Sequence, residues 1–276
     1  MTRDGLVQLS AADIPSNLAL AHSVGWTDTA PAWQVLHEAA HVVGIRRGGE
    51  LVAQGALGIY EGSGTIAKMI VEPEFQRQGL GARVLDALLA EAERRKLGVL
   101  GLVATPSGQP LYASRGFAPS GEIVVLSGQP RRATITEPLL PPATLAAALA
   151  VEERFIPCSR AKLVEACLRE PSASAELVVE GQARGYALST QQANLSLIGP
   201  VVAETDAIAR SLVSTLFRNL GGVVRIDVPV ELAAFRQWLG TLGLRELGVR
   251  PEMARGAGRL PWQVPQRFAL ATQAWG

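Results

Sequence analysis

Cysteine is nearly absent from this chain of 276 residues. The two present, Cys158 and Cys167, belong to no CxxC pair and to no Cys/His set with metal-ligand spacing. A disulfide-stapled scaffold is thereby excluded, and reduced thiols with no metal are expected. Charge is scarce too: Asp, Glu, Lys and Arg make up 18% of the residues and leave a formal net charge of +1. That balance carries no electrostatic footprint for nucleic acid or an anionic membrane. The basic cluster Arg94-Arg95-Lys96 reads as a solvated helix end, where cations meet the negative pole of the dipole. Long hydrophobic runs are missing: nothing approaches the ~18–20 apolar residues of a membrane span, and no apolar leader follows Met1-Thr-Arg-Asp. A soluble, cytoplasmic protein is expected, with neither nucleic acid nor membrane as partner.

What the chain does have is apolar substance, 48% of its residues, enough for one large core or two ordinary ones. Residues 7–9 read as a short strand, and 10–24 and 31–40 as helices. Strands at 42–46 and 51–59 flank the turn Arg47-Gly48-Gly49-Glu50, and after Gly62-Ser63-Gly64 a third strand covers 65–71. Residues 79–96 carry the clearest helical pattern. Leu80, Val84, Leu85, Leu88, Leu89 and Ala92 recur at three- and four-residue steps, Arg83, Asp86, Glu91, Arg94 and Arg95 face away, and Leu97-Gly98 supplies the stop. A buried-type strand at 99–103, a short helix at 109–115 and a strand at 122–126 complete the first half. The class is α+β with a mixed, mostly antiparallel sheet flanked by helices.

The second half repeats this order at a separation of roughly 130 residues. A short strand is predicted at 134–136, helices at 142–151 and 159–169, and strands at 177–179 and 183–188 around the turn 180–182. A strand at 195–202, a long helix at 205–220, a strand at 223–228 and a helix at 231–242 follow. Two tandem domains are expected, 1–130 and 131–276, with the proline-rich stretch 137–142 just inside the second.

The segment that carries chemistry is Val71-Glu72-Pro73-Glu74-Phe75-Gln76-Arg77-Gln78-Gly79-Leu80-Gly81-Ala82. A strand runs into a loop, and the loop opens directly into the strong helix. The first amides of a helix have no intrahelical acceptor, and the dipole places partial positive charge there. Gly79 and Gly81 let a bulky anion approach the backbone, and Arg77 adds a full charge, so the segment suits a pyrophosphate. There is no GxxxxGK[ST] and no GxGxxG followed by an acidic residue, which excludes a P-loop and a dinucleotide fingerprint.

Gln76-Arg77-Gln78-Gly79-Leu80-Gly81 resembles the Q/R-x-x-G-x-G/A signature of the GNAT acetyltransferase superfamily. Downstream, Leu111-Tyr112-Ala113-Ser114-Arg115-Gly116-Phe117 resembles its Y-x-x-x-G-F segment. The second half, with Ile198-Gly199-Pro200-Val201, Met253-Ala254-Arg255-Gly256 and Phe268-Ala269-Leu270-Ala271, is similar to the degenerate C-terminal domain of tandem GNAT proteins. The resemblance implies acetyl-CoA as co-substrate and an amine acceptor, either a small molecule or a protein amine, handled by a monomer or homodimer. It places the pyrophosphate on Gln76, Arg77, Gln78, Gly79, Leu80, Gly81 and Ala82, with Arg115 also at the cofactor. The pantetheine arm would run along Met69, Ile70 and Val71, in the gap before 99–103.

Direct attack of the amine on the thioester is the route the resemblance implies. Tyr112 is then the expected acid for the leaving thiolate, and a backbone N–H near Val71 the oxyanion donor. Glu72 is the catalytic base candidate put forward, with Glu61, His37, His41 or a chain of waters as alternatives. A CoA-binding regulatory protein without turnover, or a transferase of a larger acyl group, are the competing readings. In the second copy, Ala203-Glu204-Thr205-Asp206 replaces the glycine pair, and Phe235, Trp238 and Leu239 stand near the Tyr112 position. That copy is not expected to bind CoA in the ordinary way.

Overall fold

The strands of the two halves join into a single sheet. The computed structural model describes residues 5–131, 135–137, 140, 144–169, 176–180, 184–256 and 258–275. The first half supplies β1 (Gly5–Gln8), β2 (Ala40–Arg47), β3 (Glu50–Ile59), β4 (Ser63–Val71), β5 (Val99–Val103) and β6 (Ala118–Gly128). The second supplies β7 (Glu176–Glu180), β8 (Gly185–Gln191), β9 (Ser196–Ala203), β10 (Val224–Pro229), β11 (Arg245–Arg255) and β12 (Arg267–Ala269). They form a 12-stranded sheet in the order β1-β2-β3-β4-β5-β11-β6-β10-β9-β8-β7, with β12 beside β9. The last long strand of each half is thus interchanged: β11 pairs with β5, and β6 pairs with both β11 and β10.

Helices cover both faces. α3 (Leu80–Arg94) buries Leu80, Val84, Leu85, Leu88, Leu89 and Ala92 on one face, against Val43, Ile45, Leu57, Ile66, Leu100 and Leu102. At roughly 1.5–3 kcal/mol for each fully buried aliphatic side chain, this seam is a principal source of the first half's stability. α1 (Ile14–Ser23) and α2 (Ala30–Ala39) lie on the opposite face, where Leu20, Trp33 and Leu36 meet Val42, Ala56, Ala67 and Ile70. α4 (Gln109–Ala113) follows β5. In the second half α5 (Leu145–Phe155) and α6 (Ala161–Arg169) precede the strands. α7 (Asp206–Asn219) and α8 (Ala233–Thr241) close over β9 and β10. Both cysteines are unpaired.

Local chemistry explains the connections. Gly48 and Gly49 carry φ of 56° and 90°, the two positive values that a tight hairpin turn between β2 and β3 requires. The stop of α3 differs from the expected Leu97-Gly98. Lys96, not a glycine, takes the left-handed position at φ 58°; its amide donates to Glu93 O and that of Leu97 to Ala92 O, both at 2.9 Å. The strand predicted at 134–136 is not formed at Ile135 and Thr136, and Thr134 lies outside the described residues, as do Gly181 and Gln182 of the predicted turn.

Two forks matter for function. β4 and β5 pair in parallel only from Ser63–Val99 to Thr65–Gly101, after which β4 runs on to Val71 and the strands part. β9 and β10 do the same, pairing only from Ser196–Val224 to Ile198–Ile226. Among the described residues no strand enters the first fork. The second holds β12, which pairs with β9 through Arg267–Val202 and Ala269–Val201. Ala203 N donates to Gln266 O at 2.9 Å, and Leu270 N donates across to Asp227 O of β10 at 3.0 Å. The approach is so close that a Cβ on Gly199, whose φ is +152°, would lie 1.8 Å from Leu270 O. Gly199→Ala is therefore expected to destabilise the chain by about 1–3 kcal/mol or more. An unchanged thermal midpoint in a melting experiment would contradict this packing.

Candidate active site

The loop between β4 and α3 is shaped by its own side chains. Gln76 Nε2 donates to Val71 O at 3.1 Å, and Gln78 Nε2 to Glu74 O at 3.3 Å. Arg47 Nη1 donates to Gln78 Oε1 at 2.8 Å, with its guanidinium 5.3 Å from the centroid of Phe75. Within this frame Arg77 and Gly79 adopt left-handed backbone, at φ of 60° and 78°. The first helical bond of α3 runs from Arg83 N to Gly79 O at 3.0 Å. The amides of Arg77, Gln78, Gly79, Leu80, Gly81 and Ala82 have no acceptor among the described residues. Unpaired amides at the positive pole of a fifteen-residue helix form an anion cradle.

The glycines there serve different needs. Gly79 is required by its φ, while a Cβ at Gly81 would meet only Leu111 and Val71 at an ordinary 3.5 Å. Packing does not demand glycine at 81. Arg77 is exposed and has no ion pair among the described residues. Arg83, in the first turn of α3, is likewise exposed and without an ion pair. Reading the helix face alone counted Arg83 as merely outward-facing; its place on the first turn sets its charge beside the unpaired amides. Arg115 is instead tied to α3, donating to the Asp86 carboxylate at 3.0 and 3.2 Å.

β4 carries a bulge just before the loop. Lys68 has φ 51°, and Lys68 and Met69 together oppose Gly55 of β3. A Cβ on Gly55 would lie 2.5 Å from Met69 Sδ, so the bare glycine makes room for Met69 on the α3 side. Ile70 is buried on the other face. Lys68 donates to both carboxylate oxygens of Asp28 at 2.7 Å, with Trp26 and Trp33 at 5.2 and 5.8 Å from its ammonium. This pins the segment between α1 and α2 to β4.

Tyr112 on α4 is 8% exposed and sits edge-on to Phe117, ring centroids 6.1 Å apart. Its hydroxyl has no hydrogen-bond partner among the described residues. Burial pushes the phenol up to about 12, so it carries its proton throughout the neutral range. The contacts of the Gly81 position bring the end of β4, the start of α3 and α4 to one place.

Glu72 joins that group: half-buried, it accepts from the Ser23 hydroxyl at 3.2 Å. Two of the three alternatives lie away from that group. Glu61 and His41 lie toward the opposite end of β3 from Val71, since His41 pairs with Leu57 while Val71 pairs with Ala53. Burial lowers the His41 pKa, against the pull of Glu91, itself held down to about 2 chiefly by the hydrogen bond from Arg94. His37 Nε2 lies 3.0 Å from Asn17 Oδ1, and Asn17 Nδ2 donates to Gln54 Oε1 at 2.7 Å, a buried structural chain. Desolvation lowers the His37 pKa, opposed by Asp13.

The corresponding helix start in the second half is closed by its own residues. Thr205 Oγ1 accepts from Ile208 N at 3.4 Å, Asp206 holds Arg210, and Glu204 holds Arg154 and Arg184. No group of three or more His, Cys, Asp or Glu among the described residues is placed to hold a metal ion, and no described helix is long and apolar enough to cross a membrane.

Comparison with known proteins places this architecture. Residues 26–130 match one acetyltransferase (GNAT) domain family, and residues 148–269 match a second family of the same description. An uncharacterized N-acetyltransferase, YitH, of Bacillus subtilis (strain 168) is 27% identical over 293 residues, covering 99% of each chain. A solved structure from Pyrococcus horikoshii shares the fold at a TM-score of 0.83 and 18% identity, covering 100% of this chain and 98% of the other. A tandem GNAT protein from the clavulanic acid biosynthesis pathway superposes at 0.67 and 14% identity, covering 91% of this chain and 98% of the other.

The tyrosines give a direct check on the site's burial. All three in the chain, Tyr60, Tyr112 and Tyr186, are buried, and burial raises the pKa of each. Tyr112 contributes fully to stability below pH 10 and loses that contribution as pH rises through about 12. Spectrophotometric titration of the folded chain is expected to show no phenolate near pH 10. A phenol ionising there would contradict the assigned burial.

Proposed function

The chain belongs to the GNAT acetyltransferase superfamily, and on that premise we propose that it transfers the acetyl group of acetyl-CoA to an acceptor amine at the fork between β4 and β5. The observation that carries this reading is the run of unpaired amides at 77–82, with clearance at Gly81 that the protein's own packing leaves unused. An anionic diphosphate fits those donors: each N–H supplies one hydrogen bond, and Arg77 and Arg83 supply full charges. The part of β4 at Met69, Ile70 and Val71 that β5 leaves unpaired suits an extended amide-bearing arm as an added strand. Acetyl-CoA, when bound, supplies an acyl group activated as a thioester.

The remaining roles fall to the chain's own groups. A main-chain N–H near Val71 stabilises negative charge developing on the carbonyl oxygen. Tyr112, kept protonated by burial and with no hydrogen-bond partner for its hydroxyl among the described residues, delivers a proton to the departing thiolate. Glu72, oriented by Ser23, takes the proton that the ammonium must lose before it can attack. The acceptor is a small-molecule amine or a protein amine in the cytoplasm. The site belongs to residues 1–130, and residues 131–276 serve as its scaffold.

Release of free thiol on mixing the chain, acetyl-CoA and a panel of amines tests this reading. Gly81→Glu, which puts a carboxylate in the cradle where a Cβ is tolerated, is expected to abolish turnover while leaving the melting temperature near that of the parent. Tyr112→Phe is expected to lower kcat at least about tenfold, roughly 1.4 kcal/mol in barrier, with little change in acetyl-CoA affinity. Full turnover in either variant contradicts the role given to that residue.

A further inference from the structure

One segment, residues 260–275, touches both forks. Leu260 and Trp262 rest on Gly101 of β5, where a Cβ would lie 2.6 and 2.7 Å from them. Arg267 then donates two hydrogen bonds of 2.8 Å to the buried Glu252 carboxylate of β11, and Gln263 Nε2 adds a third at 2.9 Å. Residues 266–270 fill the second fork, bonded to β9 on one side and β10 on the other. The segment ends back on the first half. The Thr65 hydroxyl donates to Ala274 O at 3.1 Å, the Tyr60 hydroxyl donates to Trp275 O at 2.7 Å, and the Trp275 indole lies against Gly58.

Apart from Tyr60, its anchor points on the first half share one row of the sheet. Gly58 pairs with Thr65, and Thr65 pairs with Gly101, across β3, β4 and β5. Thr65–Gly101 is the last pair before β4 and β5 diverge. Neither Gly58 nor Gly101 has a positive φ, so backbone geometry does not call for glycine at either position. Gly101 is bare where the segment lies directly on it; at Gly58 a Cβ would meet the Thr65 hydroxyl oxygen at 2.6 Å and the Trp275 ring at 3.0 Å.

We infer that residues 260–275 are a strap that fixes the opening of the first fork from the face opposite α3, with its own position fixed by the strand it inserts into the second fork. Leu260 and Trp262 hold the β5 side and Trp275 the β3–β4 side, so the distance between the diverging strands is set by a segment that belongs to the second half. Trp275 and Thr65 are positioning residues in this account. The second domain thereby has a use that needs no ligand: its fork receives the chain's own strand and anchors the strap. The link to CoA rests on the proposed acetyl transfer; the grip on the fork does not.

Amide hydrogen exchange on the full, unliganded chain reads the grip directly. Trp275→Ala is expected to speed exchange at 63–71 and 99–103 by about tenfold or more, while β9 and α7 keep their protection and Trp275→Phe stays near the parent. Thr65→Val, which exchanges the hydroxyl for a methyl group, is a milder variant if Trp275→Ala does not fold. Unchanged exchange at the fork in the variant that folds overturns the strap. Acetyl-CoA affinity is the second readout: about tenfold weaker in Trp275→Ala and restored in Trp275→Phe. Equal affinity in parent and Trp275→Ala also overturns it. A parent that binds no acetyl-CoA defeats the proposed transfer instead, and the exchange result still decides the strap.

Discussion

β4 and β5 are hydrogen-bonded through three residue pairs and then separate. Backbone groups past that point lose the partners a continuous parallel ladder would give them, and buried amides and carbonyls must be satisfied by something. The rest of the first half is arranged around this opening. The β4 bulge at Lys68–Met69 turns the strand beside it, and the loop at 72–79 carries the chain to the start of α3. α4 brings Tyr112 to the same place, and the Lys68–Asp28 pair pins the segment between the first two helices alongside. Among the described residues the opening concentrates unpaired amide donors, a neutral phenol and two guanidinium groups with no ion pair, the groups that the proposed acyl transfer calls for.

The second half repeats the geometry and gives the opposite answer. Its fork is also three pairs long, but β12 supplies the missing hydrogen bonds from within the chain. Its helix start is capped by Thr205, and its acidic residues are each engaged by arginines. One fork kept open and one filled are two solutions to the same backbone problem. The interchange of β6 and β11 binds the halves together, so the filled copy contributes Met253 to the first half's core and Glu252 to the anchor of the strap.

Much of this was legible in the residues. The α3 pattern, the Gly48-Gly49 hairpin and the loop that opens into the start of α3 depend on local periodicity, turn chemistry and helix-end electrostatics, all of which a sequence carries directly. β11 escaped because Gly248 and Pro251 interrupt it and its first residues are exposed, leaving no clean alternation. β12 is three residues long, and its hydrogen-bond partners lie far back in the chain. The interchange of strands is a matter of tertiary pairing, which no local pattern encodes. Gly58 and Gly101 were visible as glycines inside strands, a mark of close approach whose causes, Thr65 and Trp275 at the first and Leu260 and Trp262 at the second, emerge only in the folded chain. Lys96 in the left-handed position shows context overriding the usual glycine preference.

The chain has one proposed cradle and, in its second half, one fork closed by its own strand. Calorimetric titration of the intact chain with acetyl-CoA tests it most directly. The account predicts saturable binding at one site per chain. Two sites would contradict the closed second fork, and no binding would contradict the cradle at residues 77–82.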